Sequence, residues 1–105
     1  MGLLNKFVGK GINALVEEAR QDPNAVILDV RTKQEYEMGH IEGAINIPIT
    51  QIERVVTEFS DKTLYIHCAS GARSHLAVKQ LKSAGLANVH DIGGISSWRG
   101  PLVTE

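Results

Sequence analysis

Short runs of consecutive apolar residues alternate along this chain with stretches in which apolar residues recur every three or four positions. Leu4, Val8, Ile12, Leu15, Val16 and Ala19 follow the second rhythm, which places them on one face of a helix. Gly9 and Gly11 interrupt it, so the spacing predicts a short first segment and then a helix from about Asn13, as N-cap, to Gln21. After the turn Asp22-Pro23-Asn24, the run Ala25-Val26-Ile27-Leu28-Asp29-Val30 reads as a buried strand ending at Arg31. Thr32 and Glu35 have the spacing of a capping box and predict a short helix from Lys33 to about Met38 that stops at Gly39.

His40–Gly43 reads as a turn into a short strand, Ala44–Asn46, which Pro48 closes. Thr50 and Glu53 repeat the capping-box spacing ahead of Ile52, Val55, Val56 and Phe59, which predicts an amphipathic helix ending near Ser60-Asp61-Lys62. Leu64-Tyr65-Ile66-His67 is the next strand. The helical rhythm returns from Ser74, with Ala77, Val78, Leu81 and Ala84 on one stripe and Gly85 as C-cap. A last strand is expected over Asn88–Ile92, then a Gly93-Gly94 turn and one or two helical turns over Ile95–Arg99. Strands and helices in alternation, with short connections, predict an α/β domain whose mainly parallel sheet is covered on both faces. Ligands of such sheets bind beyond the carboxyl ends of the strands, where Asp29, Arg31 and Cys68 stand.

Composition narrows the classes. At 105 residues, 43% hydrophobic and 22% charged, the chain is expected to form one domain over 1–105, with 1–11 as an N-terminal extension or short helix. A net charge of −1 argues against a nucleic-acid partner, which is bound through clustered Lys and Arg. A single cysteine allows no internal disulfide, no CxxC pair and no cysteine-rich zinc site, and the four histidines show no metal-ligand spacing. No metal is therefore expected. The first ten residues lack the continuous apolar core of a secretory signal and no stretch approaches transmembrane length, so the expectation is a cytoplasmic protein with no membrane partner. Leu3, Leu4 and Phe7, if exposed, would offer a dimer or partner contact.

The one cysteine stands where chemistry is expected. An apolar strand runs into Cys68-Ala69-Ser70-Gly71-Ala72-Arg73 and then directly into a helix, so backbone N–H groups and the positive end of a helix dipole converge on one point. A thiol held there ionises more easily than a free one, whose pKa is about 8.5, and becomes a competent nucleophile. A buried, inert cysteine is the bland alternative; the position at a strand end, in a small-residue loop before a helix, argues against it.

Together with three further blocks, this loop resembles the rhodanese-like sulfurtransferase family, in its single-domain form. The blocks, in the family's order, are Leu28-Asp29-Val30-Arg31 with Glu35-Tyr36, then Gly39-His40-Ile41-Glu42-Gly43-Ala44-Ile45-Asn46-Ile47-Pro48, then Cys68 to Ser74, then Gly93-Gly94-Ile95 with Trp98. The resemblance implies a rhodanese-like α/β fold with a mainly parallel five-stranded sheet flanked by helices. It implies that Cys68 takes a sulfane sulfur from a small anionic donor such as thiosulfate or a persulfide, becomes a persulfide, and passes the sulfur to cyanide or to a small-molecule or protein thiol. No cofactor is implied. The backbone amides of Ala69, Ser70, Gly71, Ala72 and Arg73 would form the anion cradle, with Ser74 bonding the first helical turn or the thiolate. Asp29, Arg31 and Glu35 would form a supporting polar network. Arg73 has two readings, donor binding or bracing of the loop against an acidic residue. Ala69 stands where thiosulfate sulfurtransferases often carry a basic residue.

Two other classes compete with this reading. His67-Cys68-x-x-Gly71 and Arg73-Ser74 echo the signature of cysteine-dependent phosphatases and arsenate-reductase-like enzymes. Their loops place five residues between Cys and Arg, enough to ring the oxygens of a phosphoryl group; four intervene here. A non-catalytic rhodanese-like binding module is the third reading, and the presence of the cysteine weighs against it.

Overall fold

The computed structural model describes residues 9–105. The expectations for Leu3, Leu4, Phe7 and most of the N-terminal segment lie outside the described residues. The helices are α1 (Ile12–Arg20), α2 (Lys33–Met38), α3 (Glu53–Glu58) and α4 (Ala72–Ser83), and the strands β1 (Ala25–Asp29), β2 (Ile45–Asn46), β3 (Thr63–Cys68) and β4 (Val89–Gly94). The strands form one parallel sheet in the order β2-β1-β3-β4. Leu28 pairs with Ile66 and Ile45, and Asp29 with His67.

Because side chains alternate across a strand, β1 and β3 each feed two cores. Leu28, Val30, Leu64, Ile66 and Cys68 pack with Val55 of α3 and with Ala77, Val78 and Leu81 of α4. Ile27, Tyr65 and Ile92 pack on the other face against Ile12, Leu15, Val16 and Ala19 of α1. Burial of each of these large side chains contributes about 1.5–3 kcal/mol relative to exposure. Cys68 thus lies on the α4 face, at the carboxyl end of a central strand.

The structure corrects several local expectations. In place of a five-stranded sheet, the described residues form four strands and one isolated antiparallel bridge, His40 to Val103. Pro101 has no N–H to donate, and Gly43, at φ +94, turns the partner segment away at the same end of the bridge, so the ladder does not extend there. Helix α1 begins at Ile12 with Gly11 as N-cap. Asn13 lies inside it, its side chain donating to Ser97 O at 2.9 Å and accepting from Arg99 N at 2.8 Å. Thr50 is no N-cap either: Pro48 opens a 3-10 turn over Ile49–Gln51, anchored to the end of β1 by Ile49 N donating to Val30 O at 3.1 Å, and α3 follows from Glu53. Gly93 and Gly94 continue β4 rather than ending it, with a register shift where the partner strand passes from Ile66 to His67. The capping box of Thr32 and Glu35 is formed as expected.

Candidate active site

Strand β3 ends at Cys68 and α4 begins at Ala72, so the chain must reverse within three residues. Gly71, the N-cap, makes the turn at φ +111, a left-handed value that an L side chain rarely adopts. The turn aims its amides at the sulfur: Gly71 N donates to Sγ at 3.0 Å and Ser74 N at 3.3 Å. Behind the loop runs the end of β4. A Cβ on Gly94 would lie 2.4 Å from Ala69 O and 2.6 Å from Ser70 Cα, so only glycine allows β4 to pass this close.

Cys68 is 1% exposed. Burial pushes its thiol up, yet hydrogen bonding from Ser74, Gly71 and Arg73 outweighs that effect and holds its pKa below the ordinary value. Of the residues expected around it, Gly71, Arg73 and Ser74 bring backbone N–H groups to the sulfur; Ala69 O instead accepts Ser96 N at 3.0 Å, which ties the loop to the chain after β4.

The Arg73 guanidinium is engaged by α2. Its Nη1 and Nη2 donate to Glu35 Oε1 and Oε2 at 2.7 and 3.0 Å, a two-point pair. With this partner, and with Thr32 N–H as a second donor, Glu35 is held at a pKa of about 2. One carboxylate therefore closes the capping box of α2 and fastens the loop to it. Asp29 and Arg31 form a second, separate pair: Arg31 Nη2 donates to Asp29 Oδ2 at 2.7 Å and to Gly39 O at 2.8 Å. Both residues are buried.

His67 is fully buried behind the cysteine. Its Nδ1 donates to Cys68 O at 3.2 Å, while Nε2 has no hydrogen-bond partner among the described residues and lies 3.8 Å from Asp29 Oδ2. Burial lowers its pKa, which favours the neutral ring. His40 stacks on Tyr36 with centroids 3.6 Å apart and serves the turn before β2. Sequence reasoning missed Asp91, whose Oδ1 accepts Ser74 Oγ at 2.7 Å and Gly93 N at 3.0 Å. Its position two residues before Gly93 is the signal of an Asx turn. Among the described residues no group of three His, Cys, Asp or Glu is placed to hold a metal ion. No helix among them is long and apolar enough to cross a membrane.

A buried thiol with a lowered pKa and amide donors on the sulfur suits attack on a soft, electrophilic atom. Comparison with known proteins points the same way. The sequence pattern of the rhodanese-like domain matches residues 13–101. A putative sulfur carrier protein of Bacillus subtilis is 34% identical over 91 residues, which cover 85% of this chain and 49% of that protein. A thiosulfate sulfurtransferase of Escherichia coli is 35% identical over 79 residues, covering 72% of this chain and 76% of the enzyme. The chain thus spans about half the length of the first relative. Among solved structures, a rhodanese-related protein of Thermoplasma volcanium superposes with a TM-score of 0.75 at 38% identity, over 91% of this chain and 99% of that one.

Proposed function

The chain belongs to the rhodanese-like domain family, and from that membership we propose that it is a sulfurtransferase working through a persulfide on Cys68. The observation that carries the reading is the sulfur itself, at the end of a central strand, with N–H groups of Gly71 and Ser74 directed at it. The Cys68 thiolate attacks the outer sulfur of a sulfane donor, thiosulfate or a persulfide. The donor's S–S bond breaks and sulfite, or a thiolate, departs with the electron pair. Cys68 then carries a persulfide anion, whose charge the loop amides and the α4 dipole stabilise. Cyanide, or an acceptor thiol in its thiolate form, attacks the terminal sulfur, and the Cys68 thiolate is regenerated. Both steps exchange one sulfur between nucleophiles, so a single cysteine suffices.

The relatives support the choice of partners, a small sulfur donor and a thiol acceptor, since one is a thiosulfate sulfurtransferase and another a putative sulfur carrier. The four-residue gap between Cys68 and Arg73 supports transfer of sulfur rather than of a phosphoryl group. Thiocyanate formation from thiosulfate or polysulfide and cyanide tests the reading. The wild-type chain should turn over, and Cys68→Ser should lose turnover completely while keeping its far-UV circular dichroism. Turnover retained by Cys68→Ser would move the nucleophile elsewhere.

A further inference from the structure

Ser74 is fully buried, and four acceptors or donors crowd its Oγ. Asp91 Oδ1 lies at 2.7 Å, Gly71 O at 3.1 Å, Gly93 O at 3.4 Å and Cys68 Sγ at 3.6 Å. Three of these neighbours are oxygens that can only accept, and a hydroxyl has one proton to give. The carboxylate is both the nearest and the charged one, so it takes the proton. Asp91 Oδ1 is held in place by Gly93 N–H at 3.0 Å. Ser74 Oγ then faces the sulfur through a lone pair. In that orientation it accepts from a Cys68 S–H and gives nothing to a thiolate.

We propose that Asp91 is a positioning residue for Cys68: it holds the Ser74 hydroxyl with its oxygen toward the sulfur, so that backbone N–H groups alone bind the thiolate and the sulfur stays more basic than it would with a hydroxyl donor added. This rests on Cys68 being the nucleophile. A more basic thiolate is the stronger nucleophile, with a Brønsted dependence of about 0.4–0.5, so the arrangement limits how far the amide cradle lowers reactivity along with pKa. Other charged or titratable groups face this assembly from each element around it. They are Arg73 of α4 with Glu35 of α2, His75 of α4 at 3.8 Å from Asp91 Oδ2, Lys10 on the cavity wall that includes Asp91, and Asp29 with Arg31 and His67 across the sheet.

The pH dependence of Cys68 alkylation by iodoacetamide, in the intact chain, reads the thiol directly. With Asp91→Ala the hydroxyl is released to donate to the thiolate, and the midpoint should fall by about half a pH unit or more, roughly threefold in thiolate fraction on the acid side. Asp91→Asn keeps an acceptor without the charge and should fall by less; its sign decides if the alanine variant does not fold. In a Ser74→Ala background Asp91→Ala should shift the midpoint clearly less, because only the loss of the carboxylate's charge then acts on the thiol. A purely structural role would loosen the loop, strip amide donors from the sulfur and raise the midpoint. A midpoint that rises or stays put, or a full-sized fall that persists without Ser74, overturns the proposal. Alkylation needs no sulfur donor, so failure of the sulfurtransferase reading is seen separately, as absence of sulfur loading in the wild-type chain.

Discussion

The cation nearest the Cys68 loop in sequence, Arg73, is already committed: both its outer nitrogens donate to Glu35. Of the two roles open to it in the sequence, this geometry favours bracing the loop. Both side chains remain about a third exposed, and solvent screening limits such a pair to about 1 kcal/mol. Arg73→Ala should therefore lower the melting temperature by a few degrees and slow sulfur loading, while leaving the KM for thiosulfate unchanged. A raised KM with unaltered stability would reassign Arg73 to donor binding. Asp91 shows the same lesson for an acidic residue. Both partnerships join residues far apart in the chain, Glu35 to Arg73 and Ser74 to Asp91, and nothing in local spacing announces them.

At the scale of elements, what was legible depended on whether the determining contacts were local. The capping box of α2 involves residues within one turn, and it forms as read. The same spacing at Thr50 and Glu53 misleads, because the preceding Pro48 and the tie from Ile49 to Val30 wind that segment into a 3-10 turn first. Asn13 has the chemistry of an N-cap, but its amide finds Ser97 and Arg99 across the fold. Gly93 and Gly94 suggest a turn by composition; the contact that explains Gly94 is its approach to Ala69 and Ser70, visible only once β4 lies beside the loop. Gly94→Ala forces that backbone apart. It should destabilise the protein by about 1–3 kcal/mol in denaturant melts, the range of overpacked sites, and depress sulfur loading with it. An alanine variant with wild-type stability and loading would mean that the close approach is dispensable.

For the whole molecule, alternating strands and helices were enough to predict a parallel sheet with a core on each face, and the Cys68 loop at its carboxyl edge. Stability should decline in acid in two stages. Burial holds His67 neutral and lowers its pKa, so its share is full above the ordinary 6.5 and is lost as pH falls below it. Glu35, lowered from 4.5 to about 2, contributes stability that is full above pH 4.5 and lost as pH falls toward 2. His67→Gln should remove the first stage and keep the second, as read by urea melts across pH; an unchanged profile would place the first stage on another group. The central claim, that Cys68 carries sulfur, is tested most directly by intact-mass spectrometry after treatment with thiosulfate or polysulfide. The account predicts a gain of one sulfur atom, mapped to Cys68 and removed by cyanide. A wild-type chain that gains no sulfur from any sulfane donor would contradict it.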